Sequence, residues 1–318
     1  MISATLYSDP ACPWAYSESP ALRVIEWRYG DQLDWRLVLV GLTEEASQYE
    51  RRGYSPIRGA LGQARFRTRY GMPFSPAPKA RLSATSRACR AVVAARMTYP
   101  GSEWRAFRAI QLANFNTPLI LDDDANLADA LRGIPGIDAD QLVGMIDAPD
   151  VVAAYRADKD ETRKAEGSAA ELQGKTATTD GPVRFTAPSI VFEQNGKKLV
   201  AGGFQPVEAY DILVANIDPQ LHREPPPEMP APLLERWDDG LTTQEVAALR
   251  CSPPAAPRPP GWSGRRPNAR ATAPASRVAA RGEAADRCLR PGCRKPRPAG
   301  IRRPRASSRS ARTRLTAL

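Results

Sequence analysis

The first forty residues fix how this chain must begin to fold. Residues 2–7 alternate as a short strand. Asp9-Pro10-Ala11-Cys12-Pro13-Trp14 then reads as a turn into a helix, because the fixed φ of Pro13 and its missing N–H suit the first helical position. The helix runs to about Tyr29, where Gly30 supplies the stop. Trp35-Arg36-Leu37-Val38-Leu39-Val40 is a second strand, dense in apolar and branched residues. A strand, a helix and a strand in this order imply a parallel pair joined by a right-handed crossover.

From Thr43 to about Gly167 the signals are helical, with apolar residues three and four apart over Arg81 to Met97, Glu103 to Phe115, Asn126 to Leu131, Ala139 to Ile146 and Val151 to Ala165. Strand character returns at Ser189-Ile190-Val191-Phe192, and Asn195-Gly196 marks a hairpin turn into Lys198-Leu199-Val200-Ala201. A helix from Pro206 to about Asn216 follows. Residues 1–218 therefore read as one α/β domain, β-α-β then β-β-α, with a helical insertion at about 43–170. Residues 219–250 read as a linker and short C-terminal helix: Arg223-Glu224-Pro225-Pro226-Pro227 is a stiff connector, and Thr242-x-x-Glu245 is a capping box. The composition breaks at Cys251. Of the 68 residues from there to the end, 11 are Pro and 16 are Arg, with no apolar periodicity, so 251–318 is expected to be a disordered tail. The abrupt switch also resembles a GC-rich reading frame translated after a frameshift.

The net charge of +10 belongs to this tail, which holds 17 of the 45 basic residues and 2 of the 35 acids, leaving 28 basic and 33 acidic residues in the body. On that reading the charge of the chain says nothing about what the folded part binds. Specific nucleic-acid binding is not expected, because Trp262 is the one aromatic residue interleaved with the tail's arginines. Nowhere do 18 apolar residues run together, and the first residues carry neither a basic n-region nor an apolar h-region, so a soluble, cytoplasmic, non-membrane protein is expected.

Only Cys12 and Cys89 lie in the body. In a reducing cytosol such thiols stay free unless they are catalytic. Cys12 opens the first helix, where unsatisfied backbone N–H groups and the positive end of the helix dipole favour thiolate over thiol. The dipole alone is worth up to about 1.5 pKa units, so Cys12 is expected to be a nucleophile near neutral pH. Trp14 either contacts substrate or covers the core, and Asp9, Tyr16 and Ser17 lie close enough to donate to a thiolate. His222, the single histidine, falls before a proline run, which argues against a His-dependent triad or metal site; Cys288 and Cys293 lack a second ligand pair.

Ser8-Asp9-Pro10-Ala11-Cys12-Pro13-Trp14-Ala15-Tyr16 resembles the active-site turn of the DsbA-like thioredoxin superfamily, particularly its FrnE-like cytosolic oxidoreductases with Cys-Pro-Trp-Cys. The resemblance spans roughly residues 2–216 and implies a thioredoxin-like fold. It also implies a cis proline at Pro188, with Ala187 and Pro188, like Pro13 and Trp14, framing the substrate groove. One departure matters: Ala15 stands where the family has its second cysteine, and alanine cannot attack a mixed disulfide. Cys12 would then act as a monothiol resolved by a small thiol such as mycothiol or glutathione, with no tightly bound cofactor. Alternatively it would serve a thiol-dependent isomerase or transferase, as the related hydroxychromene-carboxylate isomerases and kappa-class glutathione transferases suggest, or Cys89 would be the resolving thiol. A non-enzymatic groove-binding protein is the remaining reading. The expected partner is a thiol or disulfide, small molecule or peptide, with the oligomeric state undetermined.

Overall fold

The structure, a computed structural model, describes residues 1–251. The expected tail, with Trp262, Cys288 and Cys293, lies outside the described residues apart from Cys251. The chain runs β1 (Ile2–Ser8), α1 (Pro13–Tyr29) and β2 (Leu33–Leu39), then a helical block: α2 (Ala46–Arg51), α3 (Pro56–Tyr70), α4 (Ser86–Thr98), α5 (Glu103–Asn116), α6 (Asp124–Leu131), α7 (Ala139–Gly144), α8 (Pro149–Thr162) and α9 (Ala169–Leu172). It closes with β3 (Thr176–Ala177), β4 (Arg184–Phe185), β5 (Ser189–Gln194), β6 (Lys197–Ala201), α10 (Val207–Ile217), α11 (Ala231–Arg236) and α12 (Thr243–Cys251).

Four strands form one sheet in the order β2-β1-β5-β6, and β3 pairs with β4 beside it. β1 lies parallel to β2 with Leu6 opposite Leu37, and antiparallel to β5 with Leu6 opposite Ile190. The period-2 alternation of strands divides the side chains between two clusters. Ile2, Ala4, Leu6, Leu37, Leu39, Ile190 and Phe192 join the main core with α4 to α8 and α10. Tyr7, Val38, Val191 and Val200 join a smaller cluster that also contains Cys12, Ala15, Phe185 and Ala187. The alternation thus places the end of β1, the start of α1 and the loop before β5 together.

α3 falls within the helical stretch expected from Thr43 to about Gly167 but was not singled out in it, and none of its residues is buried. It forms because its ends are well specified: Ser55 Oγ accepts from Arg58 N at 3.3 Å, Pro56 takes the first turn, and Gly71 ends the helix at φ 79°. α2 and α9, too short for a periodicity argument, flank the same block.

The reading of 219–250 as a linker needs correction. α11 and α12 fold back on α1, where Val24, Leu233, Trp237 and Leu249 make a buried cluster. The capping box is formed as expected, with Glu245 N donating to Thr242 Oγ1 at 3.3 Å and Thr242 N to Glu245 Oε2 at 2.7 Å. The same carboxylate is fully buried and takes a bidentate pair from Arg108 on α5, at 2.8 and 2.9 Å. Burial opposes its charge, but the hydrogen bonds and charge of Arg108 prevail and hold the carboxyl down at about 2. The prolines and the capping box were visible in the sequence, whereas the apolar residues that cover α1 are too few and too irregular to announce a docked helix.

Glu245→Ala leaves Arg108 buried without this partner and should lower the unfolding free energy by about 3–5 kcal/mol in urea denaturation at pH 7. Because the folded-state pKa is depressed, that contribution is present above about pH 4.3 and fades as the pH falls towards 2, so the two proteins should converge in acid. A difference below about 1 kcal/mol at pH 7 would restore the linker reading.

Candidate active site

The turn after β1 is built around Asp9. Its Oδ1 accepts from Ala11 N at 2.9 Å, and its carbonyl accepts from Cys12 N at 3.1 Å, closing the turn that delivers Cys12 to the N-cap of α1. Its Oδ2 accepts from Leu42 N after β2 at 2.9 Å, from Thr85 Oγ1 before α4 at 3.0 Å and from the Cys89 thiol on α4 at 3.6 Å. Asp9 is fully buried, and burial raises its pKa despite these donors. In all four of these side-chain bonds Asp9 is the acceptor, and none of them reaches the Cys12 sulfur. Tyr16 and Ser17 are also elsewhere: Tyr16 Oη accepts from Asn116 at 2.9 Å within an aromatic cluster with Phe74 and Phe115, and the Ser17 hydroxyl is buried without a partner.

Cys12 is 5% exposed, and its Sγ donates to the carbonyl oxygen of Ala187 at 3.1 Å. The Ala187–Pro188 peptide bond is cis. The loop is held by Ser189 Oγ, which donates to Thr186 O at 2.7 Å and accepts from Gly203 N at 3.0 Å. The Ala187 carbonyl thus has the thiol on it.

The expected thiolate near neutrality is not what this environment favours. Burial pushes the Cys12 thiol up to about 12; the backbone N–H groups of Ala15 and Trp14 and the charge of Arg184 pull it down, and the Asp9 carboxylate pushes it further up. The N-terminal position does act in the expected direction, but desolvation outweighs it. A thiol that donates to a carbonyl is a neutral thiol.

Cys89 belongs to the main core and is fully buried. Both cysteines are free. Burial and the neighbouring Asp9 raise the Cys89 pKa well above the ordinary thiol value. Facing the Asp9 carboxylate and absent from the groove lining, Cys89 meets a mixed disulfide on Cys12 only if the loops around it open.

Cys12 lies at the bottom of a groove of about 1090 Å³. Trp14, 43% exposed, forms part of one wall, edge-on to Phe66 of α3 at 4.8 Å and to Phe204 at 5.6 Å, so it is groove lining and not core. Pro13, Thr186 and Ala187 line the floor, and Tyr49 from α2 and Tyr54 line the α2–α3 side. Arg184 contributes from the β3–β4 pair. It is 5% exposed, with Nη1 on Phe185 O and Nη2 on Thr179 Oγ1, both at 3.0 Å. The sequence reading missed Tyr49, Arg184 and the whole α3 wall. One signal could have found the wall: residues 51–102 contain no acid and eleven basic residues, a run hidden inside a body whose mean charge is negative.

Among the described residues, no helix is long and apolar enough to cross a membrane. No protein-family model matches the chain, and no curated protein matches it. Solved structures do. One from Streptomyces coelicolor, inferred to be a DsbA oxidoreductase, is 18% identical with a TM-score of 0.52, covering 72% of this chain and 94% of its own. One from Nitrosomonas europaea, inferred to be a protein disulfide isomerase, is 18% identical with a TM-score of 0.50, covering 69% of this chain and 98% of its own. The cytosolic disulfide reductase DsbM from Pseudomonas aeruginosa is 17% identical with a TM-score of 0.48, covering 68% and 98%. At these identities the likeness is one of fold, and the first two structures carry it: the chain has the thioredoxin-like α/β fold of the DsbA type, with helices inserted between its two β units.

A buried neutral thiol has a measurable signature. Alkylation of Cys12 by iodoacetamide, followed on its tryptic peptide, should keep rising with pH beyond 9 and show no plateau below pH 10. A plateau at or below pH 8 would mean that the helix terminus prevails over burial.

Proposed function

We propose that this protein is a cytoplasmic thiol–disulfide oxidoreductase that works through Cys12 alone. The observation that carries the proposal is the placement of Cys12: at the first turn of α1, against the Ala187–Pro188 loop and at the floor of an open groove, with Ala15 in place of a second thiol. The DsbA-type fold supports the same chemistry.

The exchange needs no group beyond a second thiol. Cys12 gives up its proton to solvent; its Sγ attacks one sulfur of the substrate disulfide, the new S–S bond forms as the old one breaks, and the electron pair leaves with the released thiolate. The N–H groups of Ala15 and Trp14 and the Arg184 guanidinium stabilise the attacking thiolate while the groove keeps water away from it. With Ala15 unable to continue, a small thiol such as mycothiol or glutathione attacks the mixed disulfide and Cys12 leaves as thiolate. The substrate is a small molecule or peptide that fits the groove, and no cofactor is held tightly.

The neutral, buried thiol favours a second reading, a groove that binds its ligand without forming a disulfide, either as a non-enzymatic binding protein or as a thiol-dependent isomerase or transferase. A single set of variants separates the two. Treated with 2,2′-dithiodipyridine, the full chain should carry one persistent thiopyridyl adduct on the Cys12 peptide, and Cys89→Ser should retain it. Ala15→Cys should convert it to an internal disulfide, with loss of the second thiopyridone. Absence of the Cys12 adduct in both the wild type and Ala15→Cys sinks the oxidoreductase assignment and leaves the binding reading.

A further inference from the structure

The groove is lined by seven basic residues and no Asp or Glu. Arg52, Arg58 and Arg65 come from the α2–α3 side, Lys79 from the loop before α4, and Lys175 and Arg184 from the β3–β4 region. Among the described residues no carboxylate lies within ion-pair distance of Arg52, Arg58, Arg65, Lys79 or Lys175; the seventh cation, Arg81, pairs with Asp122 at 2.7 Å, and many cations elsewhere are also paired, as Arg36 is with Glu161, Arg87 with Asp124 and Arg105 with Asp238. Lys79 donates only to the carbonyls of Thr117 and Leu119, and burial lowers its pKa to about 8, the direction expected of an ammonium without a counter-ion. Independently, the Nε of Arg184 is buried without a hydrogen-bond partner, its nearest carboxylate oxygen being Asp180 Oδ1 at 3.6 Å. Asp180 thus partly compensates Arg184, while five of the seven cations in the lining have no carboxylate partner among the described residues, and such a cleft attracts anions.

We propose that the substrate of this groove is a low-molecular-weight disulfide carrying at least two acid groups, held by Lys175, Lys79 and the α2–α3 arginines. The proposal rests on the oxidoreductase reading above and adds the substrate class. Two or more charges are required because the cations come from separate segments of chain, the α2–α3 region, the loop before α4 and the β3–β4 region. A small molecule suits a groove of about 1090 Å³. Trp14, Tyr49, Tyr54 and Phe66 give its apolar or aromatic part a surface to lie on. A cationic disulfide is excluded by the same charges.

The test compares two aromatic disulfides on the full chain, the dianionic 5,5′-dithiobis(2-nitrobenzoate) and the uncharged 2,2′-dithiodipyridine. Rates of adduct formation on the Cys12 peptide are each normalised to a free cysteine peptide. The dianion should be favoured about tenfold or more in low salt, and the advantage should vanish near 0.5 M NaCl. Reversing two groove charges, Arg65→Glu with Lys175→Glu, should lower the ratio about fivefold. Arg302→Glu with Arg303→Glu, the same change of net charge in the C-terminal segment, should lower it less than twofold. Oxidised coenzyme A, charged through phosphates, run alongside separates phosphate from carboxylate recognition: a preference for either anion over the neutral reagent supports the proposal, and a preference for neither overturns it. Equal normalised rates, or an equal loss in both double variants, would overturn the substrate class while leaving the oxidoreductase reading standing. No Cys12 adduct with any reagent would remove the oxidoreductase reading itself.

Discussion

The Asp9 carboxylate is the tie on which the rest of the site depends. It is buried, yet it collects hydrogen bonds from the turn before α1, from the chain leaving β2 and from the start of α4, three segments separated by up to 80 positions. A carboxylate can do this because it offers several acceptor positions and no donor, and four donors converge on it. Replacing it by a neutral side chain would strand backbone N–H groups in the core as well as loosen the turn. The position of Cys12 is thus set by a residue that never touches its sulfur. Backbone geometry, through Cys12 N on Asp9 O, carries the constraint forward.

The same carboxylate bears on reactivity. Two opposed sets of forces act on the Cys12 proton: burial and the nearby Asp9 charge hold it on the sulfur, while the first-turn N–H groups and Arg184 draw it off. Argument from position alone counts only the second set, because helix termini are visible in a sequence and desolvation is not. The balance is also movable. Burial raises the Asp9 pKa, and each increment of protonation there removes charge that opposes the Cys12 thiolate. An anion bound beside Arg184 would work the other way, partly neutralising the cation that favours it, so attack is best served by a substrate whose acid groups sit on the other cations of the groove.

The parts of this architecture that were legible share one property: their signal is local. The Pro13 start, the Gly30 stop, the Asn195-Gly196 turn and the Thr242–Glu245 box are each written in a few adjacent residues, and each is found within a residue or two of its expected place. α4 to α8 were legible because their apolar spacing repeats over several turns. What escaped depends on distant partners. Nothing near Asp9 says that Thr85 and Cys89 will reach it. Nothing near Arg108 says that Glu245, 137 positions on, will complete its pair. α3 escaped for another reason: it buries none of its residues, and its apolar positions Ile57 and Leu61 are exposed, so they mark no face of the core.

The charge of the groove shows how an average conceals a function. A body with 28 basic and 33 acidic residues looks faintly acidic, yet its acids lie outside residues 51–102, and the fold brings part of that run into the groove that Lys175 and Arg184 also line. Such segregation is unfavourable to the apo protein, because like charges facing a common low-dielectric cleft repel one another and cannot all be screened by solvent. Many of the chain's other arginines are paired with carboxylates, and the five groove cations without such a partner among the described residues read as charge held in reserve for a ligand. The acid that would neutralise it is then supplied by the substrate, and the thiol at the floor of the groove meets only molecules that bring it.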